Sequence, residues 1–325
     1  MPYLSRLFLC FSALWLSFFA TSIGAYAADK YIFILPSLGN PYWQTVKQGI
    51  EDGSKEAKID LTVLSVVSDQ AKEEALNLCQ SAISQKPSII VLCTTTNAVG
   101  LQCLRETVKH GIKAAVIDAD ISVEEAKKSG INLSFKIGTN NLMLGAKAAQ
   151  FVAGNATGPK PKVLILEGMV GNLASTNRVA GFKQELAKTL PGATIVSCIA
   201  ADWDRLKALN ITADTLTRTP DLGVVVAAND MMALGAVEAI RTAGKTKQVM
   251  VVGIDGVADA RKAILAGRMT ASIAQLPYLI GLRSVELAKE SVHGQCAGKT
   301  EKTPLLTLTK SVLQANSDPL LKYVR

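Results

Sequence analysis

The chain has 325 residues, of which 49% are hydrophobic and 19% are charged, and its formal net charge at pH 7 is +8. This composition is that of a globular chain and excludes a disordered one, and the length suggests one large or two medium domains. The two histidines, His110 and His293, are far apart, and no HExxH, CxxC or GxSxG sequence occurs. The sequence therefore predicts neither a metal site nor a cofactor.

The N-terminus has the pattern of a secretory signal peptide. Arg6 is its only charged side chain, residues 7–20 form an apolar run, and Ala25-Tyr26-Ala27 places small residues where signal peptidase reads them. The run is too short to span a bilayer comfortably, which disfavours a membrane anchor. We expect cleavage after Ala27 and a soluble product in the periplasm.

After this segment, short apolar runs alternate with amphipathic stretches, as in parallel sheets that helices cover on both faces. The first series is predicted as strand 31–35, helix 41–58, strand 61–67, helix 72–85, strand 88–92, helix 98–110, strand 114–117, strand 135–137 and helix 141–154. The sequence Gly-Pro-Lys-Pro at 158–161 then interrupts the pattern.

A second series follows the interruption. It is predicted as strand 163–166, helix 175–190, strand 194–199, helix 203–216, strand 223–227, helix 230–243, strand 249–254, helix 258–266, strand 269–274 and helix 277–293. Two such series predict two doubly wound α/β lobes. No GxGxxG follows the first strand of either series, so a dinucleotide site is not predicted.

Five cysteines follow the predicted cleavage site: Cys79, Cys93, Cys103, Cys198 and Cys296. Export permits disulfides, but the sequence does not determine which cysteines pair. Because five is odd, at least one of them has no disulfide partner within the chain.

Polar and aromatic side chains follow one predicted strand after another. Ligands of open parallel sheets bind beyond the carboxyl ends of the strands, so these side chains are candidates for one binding crevice. Singly, some have a purely structural explanation, since Asn40 and Asp230 suit helix caps and Asp255 suits a turn. The candidates are Asn40, Tyr42, Trp43, Asp118, Arg178, Trp203, Asn229, Asp255 and Gln275.

These residue types suit a polyhydroxylated ligand. Amide, carboxylate and guanidinium groups offer two or more hydrogen-bonding atoms in a plane and can bracket neighbouring hydroxyl groups. Tyr42, Trp43 and Trp203 offer flat apolar faces that can cover the C–H faces of a pyranose ring. Arg178 can compensate the charge of one buried carboxylate.

The sequence resembles the periplasmic sugar-binding proteins of ABC uptake systems, in their ribose and allose branch. The resemblance is carried, in order, by Asn40-Pro41-Tyr42-Trp43 and by the segments 201–205, 228–235, 252–256 and 273–275. It implies the type I periplasmic binding protein fold, with two lobes joined by three crossing strands. Lobe one would comprise residues 28–139 plus 276–305, and lobe two residues 140–275 plus 306–325. The nine candidates match sugar-contacting positions of that family.

The resemblance also implies a function. We expect a monomer, and not an enzyme, that captures a monosaccharide or cyclic polyol between its lobes and delivers it to an ABC transporter permease. Two departures leave the ligand undetermined. Pro36 stands where allose-type proteins have a sugar-contacting Lys, and Ala119 stands where ribose-type proteins have an Arg.

Three alternative functions would place different demands on the sequence. A transcription regulator with this sensor fold would need a helix-turn-helix where the signal peptide lies, and neither export nor the scattered lysines suit a nucleic-acid partner. An exported sugar-active enzyme could use Asp118 and Asp255 as paired carboxylates. A sensor that docks on a chemoreceptor is compatible with uptake.

Overall fold

The protein is described from a computed structural model that covers residues 29–69, 71–94, 96–119 and 121–325. The predicted signal peptide and its cleavage site lie outside these residues. In the described part, the strands are β1 (Lys30–Leu35), β2 (Asp60–Ser65), β3 (Ile89–Leu92), β4 (Lys113–Ile117), β5 (Leu133–Gly138), β6 (Lys162–Glu167), β7 (Thr194–Ala200), β8 (Leu222–Ala227), β9 (Met250–Asp255), β10 (Ala271–Ala274), β11 (Lys299–Lys302) and β12 (Leu306–Leu308).

The helices of the same part are α1 (Pro41–Ala57), α2 (Lys72–Ser84), α3 (Asn97–Lys109), α4 (Val123–Lys128), α5 (Asn141–Asn155), α6 (Leu173–Thr189), α7 (Arg205–Arg218), α8 (Asp230–Thr242), α9 (Ala258–Leu265), α10 (Pro277–Val292) and α11 (Lys310–Ala315). A 3-10 helix spans Pro319–Tyr323. None of the helices in the described ranges is both long and apolar enough to cross a membrane.

The strands form two sheets. The first sheet has the order β11-β5-β4-β3-β1-β2 and is parallel throughout, and the second has the order β12-β10-β9-β8-β6-β7, in which only β12 is antiparallel. The chain passes from one sheet to the other between β5 and α5, between β10 and α10, and between β11 and β12. The predicted fold class, two doubly wound parallel-sheet lobes, is confirmed.

Continuous apolar strands explain why the sheets are buried on both faces. All four residues of β3, Ile-Ile-Val-Leu, are buried, as is typical of a central strand in a parallel sheet. Helices pack on each face, and one close approach matters for the site. A Cβ on Gly145 of α5 would lie 1.9 Å from the backbone oxygen of Arg178 in α6, so only glycine lets these two helices approach so closely.

Several elements differ from their predicted form. Helix α4 forms where the sequence predicts a loop, and Ser122 caps it by accepting from the Glu125 backbone N–H at 2.9 Å. Helix α7 starts at Arg205, two residues later than predicted, because Trp203 has a left-handed φ of 64° and Asp204 takes the cap position. The segments after residue 298 form β11, β12, α11 and the 3-10 helix, none of which was predicted.

The last residues contact helices associated with both sheets. Arg261, on α9, donates to the Arg325 backbone oxygen at 2.8 Å. The Arg325 guanidinium lies 3.9 Å from the ring centroid of Tyr278 on α10 and 3.7 Å from Asp52 on α1. The tail thus links α9 to the α1–α10 pair.

One disulfide joins two helices beside the first sheet. Cys79 of α2 and Cys103 of α3 are bonded, with 5.8 Å between their Cα atoms. Cys198 and Cys296 carry free thiols. The pairing that the sequence left open is therefore Cys79 with Cys103.

Candidate functional site

A cleft lies where the carboxyl ends of the two sheets face each other. The structure brings all nine sequence-predicted residues to it: Asn40, Tyr42, Trp43, Asp118, Arg178, Trp203, Asn229, Asp255 and Gln275. The convergence of the strand ends, inferred from the pattern alone, is therefore a property of the fold.

The cleft also has lining residues that were not predicted from the sequence: Pro36, Asp69, Cys93, Thr94, Asn172 and Ala174. Of these, Asp69, Thr94 and Asn172 follow the carboxyl ends of β2, β3 and β6. These three residues thus have the same sequence signal as the predicted ones, a polar side chain within a few residues of the carboxyl end of a strand.

The first-sheet wall of the cleft is built around Asp118. The Tyr42 hydroxyl donates to Asp118 Oδ2 at 2.5 Å, and burial together with this carboxylate raises the pKa of Tyr42 well above its usual value. Trp43 packs edge-on against Tyr42, with ring centroids 4.9 Å apart. Asn40 caps the N-terminus of α1, which carries both aromatic residues, by accepting from the Tyr42 backbone N–H at 3.0 Å. Two aromatic rings and a carboxylate are thus held beside one another.

Two chain crossings meet at the back of the cleft. The Thr139 hydroxyl donates to Gln275 Oε1 at 2.6 Å, and the Thr139 backbone N–H donates to Asp118 Oδ1 at 3.4 Å. Gln275 Nε2 donates to Asp255 Oδ1 at 2.6 Å. Hydrogen bonds therefore connect the carboxylates of the two walls through residues of the crossings.

The second-sheet wall is built around Arg178, which is 7% exposed. Its Nε donates to Asn141 Oδ1 at 2.9 Å, and its Nη1 donates to the Ala228 backbone oxygen at 2.7 Å. The same Nη1 lies 3.5 Å from Asp255 Oδ1, and the guanidinium carbon lies 5.7 Å from the Trp203 ring centroid. The guanidinium is fixed in place by these contacts and compensates one buried carboxylate.

The backbone of Trp203 is strained, since its φ of 64° is left-handed. A Cβ on Gly168 would lie 2.2 Å from the Trp203 ring, so the glycine leaves the space that the indole occupies. Left-handed φ angles also occur at Asp118 (45°) and Asp255 (128°). Such conformations cost about 1–3 kcal/mol each and concentrate at functional sites.

A second buried carboxyl group, that of Asp230, binds the backbone that directly follows Asp255. Asp230 has no exposed surface, and its Oδ2 accepts from the backbone N–H groups of Gly256 at 2.7 Å and Val257 at 2.9 Å. The Ser272 hydroxyl donates to its Oδ1 at 2.7 Å. Asp230 therefore holds the turn that presents Asp255, a role that the sequence, which offered only a helix cap, did not reveal.

Burial governs the protonation of these two carboxyl groups. Desolvation raises the pKa of Asp255 to about 7, although the Arg178 charge and the Gln275 hydrogen bond act in the opposite direction. Burial and the nearby Asp255 raise the pKa of Asp230 well above its ordinary value. The cleft thus holds a carboxyl group that titrates near neutrality.

Asn229 supplies a hydrogen-bond donor with no acceptor. Its Oδ1 caps α8 by accepting from the Met232 backbone N–H at 2.9 Å, while its Nδ2 is buried and has no partner among the described residues. A buried polar group without a partner costs about 1–3 kcal/mol. Since Asn229 lines the cleft, an acceptor on a bound molecule would satisfy it.

Comparison with known proteins now gives the family. Residues 31–296 match the model of the family described as periplasmic binding protein domain. The chain belongs to this family. The D-allose-binding periplasmic protein of Escherichia coli is 32% identical to it over 292 residues, which cover 90% of this chain and 94% of that protein. The ribose import binding protein RbsB of the same organism is 33% identical over 274 residues, covering 84% of this chain and 88% of that protein.

Solved structures agree with this periplasmic binding protein in architecture. An ABC transporter periplasmic solute binding protein from Actinobacillus succinogenes, solved with bound D-allose, has a TM-score of 0.82 and 28% identity, and the match covers 88% of this chain and 99% of that one. A solute binding protein from Bacillus halodurans shares the fold at 20% identity, with a TM-score of 0.79 over 90% of this chain and 98% of that one. The predicted resemblance and the type I fold are confirmed.

The chemistry of this periplasmic binding protein's cleft is that of polar recognition. Across the described ranges, no three His, Cys, Asp or Glu side chains are grouped so that they could hold a metal ion. The cleft instead combines planar polar groups, most of them already fixed by protein partners, with two tryptophan faces. Such an arrangement can bind a small molecule through hydroxyl groups and C–H faces.

Proposed function

We propose that this protein binds a monosaccharide or a cyclic polyol in the cleft and delivers it to the permease of an ABC transporter. The observation that carries the proposal is the buried Asn229 Nδ2, which lacks a protein acceptor in a cleft whose Arg178 and Asp255 are held rigid. A hydroxyl group both accepts and donates, so a polyol can satisfy Asn229 and a carboxylate at once. Trp43 and Trp203 would cover the apolar faces of the ligand.

Delivery would depend on closure of two lobes around the ligand. We take lobe one as residues 28–139 plus 276–305 and lobe two as residues 140–275 plus 306–325, with the three chain crossings as the hinge. Closed and open forms would differ in the surface that both lobes present to the permease. The hydrogen bonds of Thr139 and Gln275 at two crossings support a hinge that is coupled to the ligand-facing carboxylates.

The relatives named above are binding proteins, one of them of an import system, and the family places this chain in the periplasm. We further propose that it is exported by cleavage after Ala27, acts as a monomer and does not transform its ligand. A second role as a sensor for a chemoreceptor would use the same closed form. Release of a new sugar product during incubation would instead support an exported enzyme.

A thermal-shift panel tests the proposal. The panel contains pentoses, hexoses, furanose compounds and inositols, because Pro36 and Ala119 do not point to allose or ribose. A true ligand at 100 times its Kd is expected to stabilise the protein by about 2.7 kcal/mol. Its binding should also change the fluorescence of Trp43 and Trp203, and this change should shrink in Trp43→Phe and Trp203→Phe. If no sugar or polyol shifts the melting temperature, the proposed ligand class is wrong.

Ligand affinity is expected to fall as the pH is lowered from 8 to 6. Burial raises the pKa of Asp255 to about 7, and hydroxyl donors need its ionised form, so binding should release up to one proton. Below the pKa of Asp255, the ligand affinity should fall by at most about tenfold for each pH unit. Calorimetric titration of the best panel ligand at pH 8, 7 and 6 measures this loss of affinity. In Asp255→Asn the affinity should no longer depend on pH over this range. An affinity that is constant over this range would contradict the assignment.

The unliganded protein should show the opposite trend in stability. Between pH 4 and 7 the folded state keeps a proton on Asp255 that the unfolded chain has lost, because the folded pKa is the higher one. Stability therefore falls as the pH rises through this window. Urea unfolding of the unliganded protein at pH 5 and pH 7.5 measures the trend, with Asp255→Asn as the reference that lacks this contribution.

A further inference from the structure

Four polar side chains form a continuous line across the back of the cleft, from Asp118 on one wall to Asp255 on the other. Thr139 Oγ1 lies 3.1 Å from Asp118 Oδ1 and 2.6 Å from Gln275 Oε1. Gln275 Nε2 lies 2.6 Å from Asp255 Oδ1. Thr139 directly follows β5 and Gln275 directly follows β10, so each stands at the start of a chain crossing. We call these four side chains the relay.

The Thr139 hydroxyl has two oxygen neighbours in the relay but only one proton. With Asp255 ionised, the Gln275 amide turns its N–H toward that carboxylate and its oxygen toward Thr139. The Thr139 hydroxyl then donates to Gln275, and Asp118 Oδ1 accepts from the Thr139 backbone N–H at 3.4 Å. In this form, both side-chain donors of the relay point toward Asp255.

The same spacing accommodates the opposite direction when Asp255 takes up a proton on Oδ1. Its O–H then donates to Gln275 Oε1 once the amide has turned over, and Gln275 Nε2 donates to Thr139 Oγ1. The Thr139 hydroxyl is left to donate to Asp118 Oδ1, which lies 3.1 Å away. Every member of the relay keeps a hydrogen-bond partner, and Asp118 gains a donor.

The two directions depend on the Thr139 hydroxyl to different extents. With Asp255 ionised, the hydroxyl takes part in one hydrogen bond between neutral groups, to Gln275. With Asp255 protonated, it takes part in two, and the one to Asp118 is of the stronger, charge-assisted kind. The hydroxyl therefore favours the protonated form of Asp255.

Charged and titratable groups on several elements face Asp255. Arg178 of α6 favours its ionised form, whereas burial and the Asp118 charge favour the protonated form. The carboxyl groups of Asp255 and of Asp230, at the start of α8, disfavour each other's ionisation. Tyr42 of α1 stays neutral, because burial and the nearby carboxylates raise its pKa. These opposing influences leave the pKa of Asp255 at about 7, so both forms occur near neutral pH.

We infer that Thr139 is a positioning residue whose hydroxyl reverses its hydrogen bond when Asp255 gains or loses a proton, so that both walls of the cleft change their hydrogen-bonding character together. At high pH, Asp118 and Asp255 both accept from a ligand. At low pH, Asp255 donates within the relay and Asp118 Oδ1 is occupied by the Thr139 hydroxyl. The effect on a ligand rests on the proposed function, whereas the reversal itself concerns only the protein.

A hydrogen bond of fixed direction makes a different prediction. If Asp255 is protonated on Oδ2, Gln275 keeps its orientation and Thr139 donates to it in both forms. Thr139→Val, which keeps the branched shape and removes the hydroxyl, would then weaken both forms equally and leave the pKa of Asp255 unchanged. Thr139→Ser keeps the hydroxyl. The matched control is Thr217→Val, since Thr217 is exposed on α7 and donates to the Ala213 backbone oxygen.

The reversal is tested first without any ligand, by an NMR titration of protein labelled with carbon-13 at its aspartate carboxyl groups. The Asp255 signal is identified by its loss in Asp255→Asn. Thr139→Val should lower the midpoint of this signal by about one pH unit, because the protonated form loses the charge-assisted hydrogen bond. Thr139→Ala should shift it in the same direction, and Thr139→Ser and Thr217→Val should leave it unchanged. An unchanged or raised midpoint in the folded variants without the hydroxyl overturns the inference.

The effect on a ligand is tested by calorimetric titration of the best panel ligand at pH 8 and pH 6. With a pKa of about 7 for Asp255, the affinity of the parent protein should fall by about tenfold between these values. In Thr139→Val, with a midpoint one unit lower, it should fall by only about twofold. A bond of fixed direction would lower the affinity of the variant equally at both pH values. A tenfold fall that persists in Thr139→Val therefore overturns the inference.

The two arms separate failure of this inference from failure of the proposed function. If no sugar or polyol binds, the proposed function fails, and the effect of the relay on such a ligand fails with it. The NMR midpoints still uphold or overturn the reversal in that case, because they need no ligand.

Discussion

Arg178→Ala is expected to weaken binding of the best panel ligand by about 2–5 kcal/mol. The guanidinium is held by Asn141, by the Ala228 backbone oxygen and by Asp255, so it needs no reorganisation to meet a ligand. Its removal deletes a charge-assisted donor and leaves the buried carboxylate of Asp255 without its cation. Calorimetric titration of the variant against the parent protein measures the loss.

The stability that Arg178→Ala loses should depend on pH. Without Arg178, the pKa of Asp255 should rise further, since the guanidinium is the largest influence that lowers it. The variant should therefore lose more stability at pH 8, where the isolated carboxylate must ionise, than at pH 5.5, where it stays protonated. Arg218→Ala, which removes an exposed arginine at the end of α7, is the control and should change neither quantity. Affinity within twofold of the parent protein would contradict the role of Arg178.

Much of the architecture could be predicted because it depends on local patterns. The predicted strands of both series appear in the structure, with ends shifted by about one to two residues, since buried parallel strands are continuous apolar runs. Strand β11 could not be predicted in this way, because its sequence Lys-Thr-Glu-Lys is polar and largely exposed. Backbone pairing with β5 and the ion pair of Arg283 with Glu301, at 2.9 Å, hold it in the sheet. Such contacts between distant segments leave no periodicity in the sequence.

The residues of the cleft also fall into two groups, those that a local sequence pattern predicts and those whose role depends on contacts between distant segments. All nine predicted residues reach the cleft, because they lie at or after the carboxyl ends of parallel strands, and these ends share one edge of each sheet. The residues that hold them in place were not predicted. Asn141, which fixes Arg178, is the first residue of a helix, and Thr139 is part of a crossing. Their partners lie 37 and 136 residues away along the chain, so only the folded chain reveals the contacts.

Asp230→Ala is expected to lower the free energy of unfolding by about 3–5 kcal/mol. Two donors would lose their acceptor in the interior, the Val257 backbone N–H and the Ser272 hydroxyl, and the Gly256 N–H would keep only Ser272 Oγ, at 3.0 Å. Each unsatisfied buried donor costs about 1–3 kcal/mol, which removal of a buried carboxyl group offsets in part. The left-handed turn that carries Asp255 would also lose its support, so ligand affinity should fall together with stability. Urea unfolding and calorimetric titration measure the two effects.

Asp230→Asn separates the hydrogen bonds from the charge. Both backbone amides bind the same oxygen, Oδ2, so an asparagine with its oxygen at this position keeps both bonds. Its amide group would face Ser272, whose hydroxyl can rotate to accept. The substitution also removes a buried carboxyl group that lies near Asp255 and raises the cost of ionising it. Asp230→Asn should therefore stay within about 1 kcal/mol of the parent protein. Equal losses in the alanine and asparagine variants would show that the charge of Asp230, and not its hydrogen bonds, holds the turn in place.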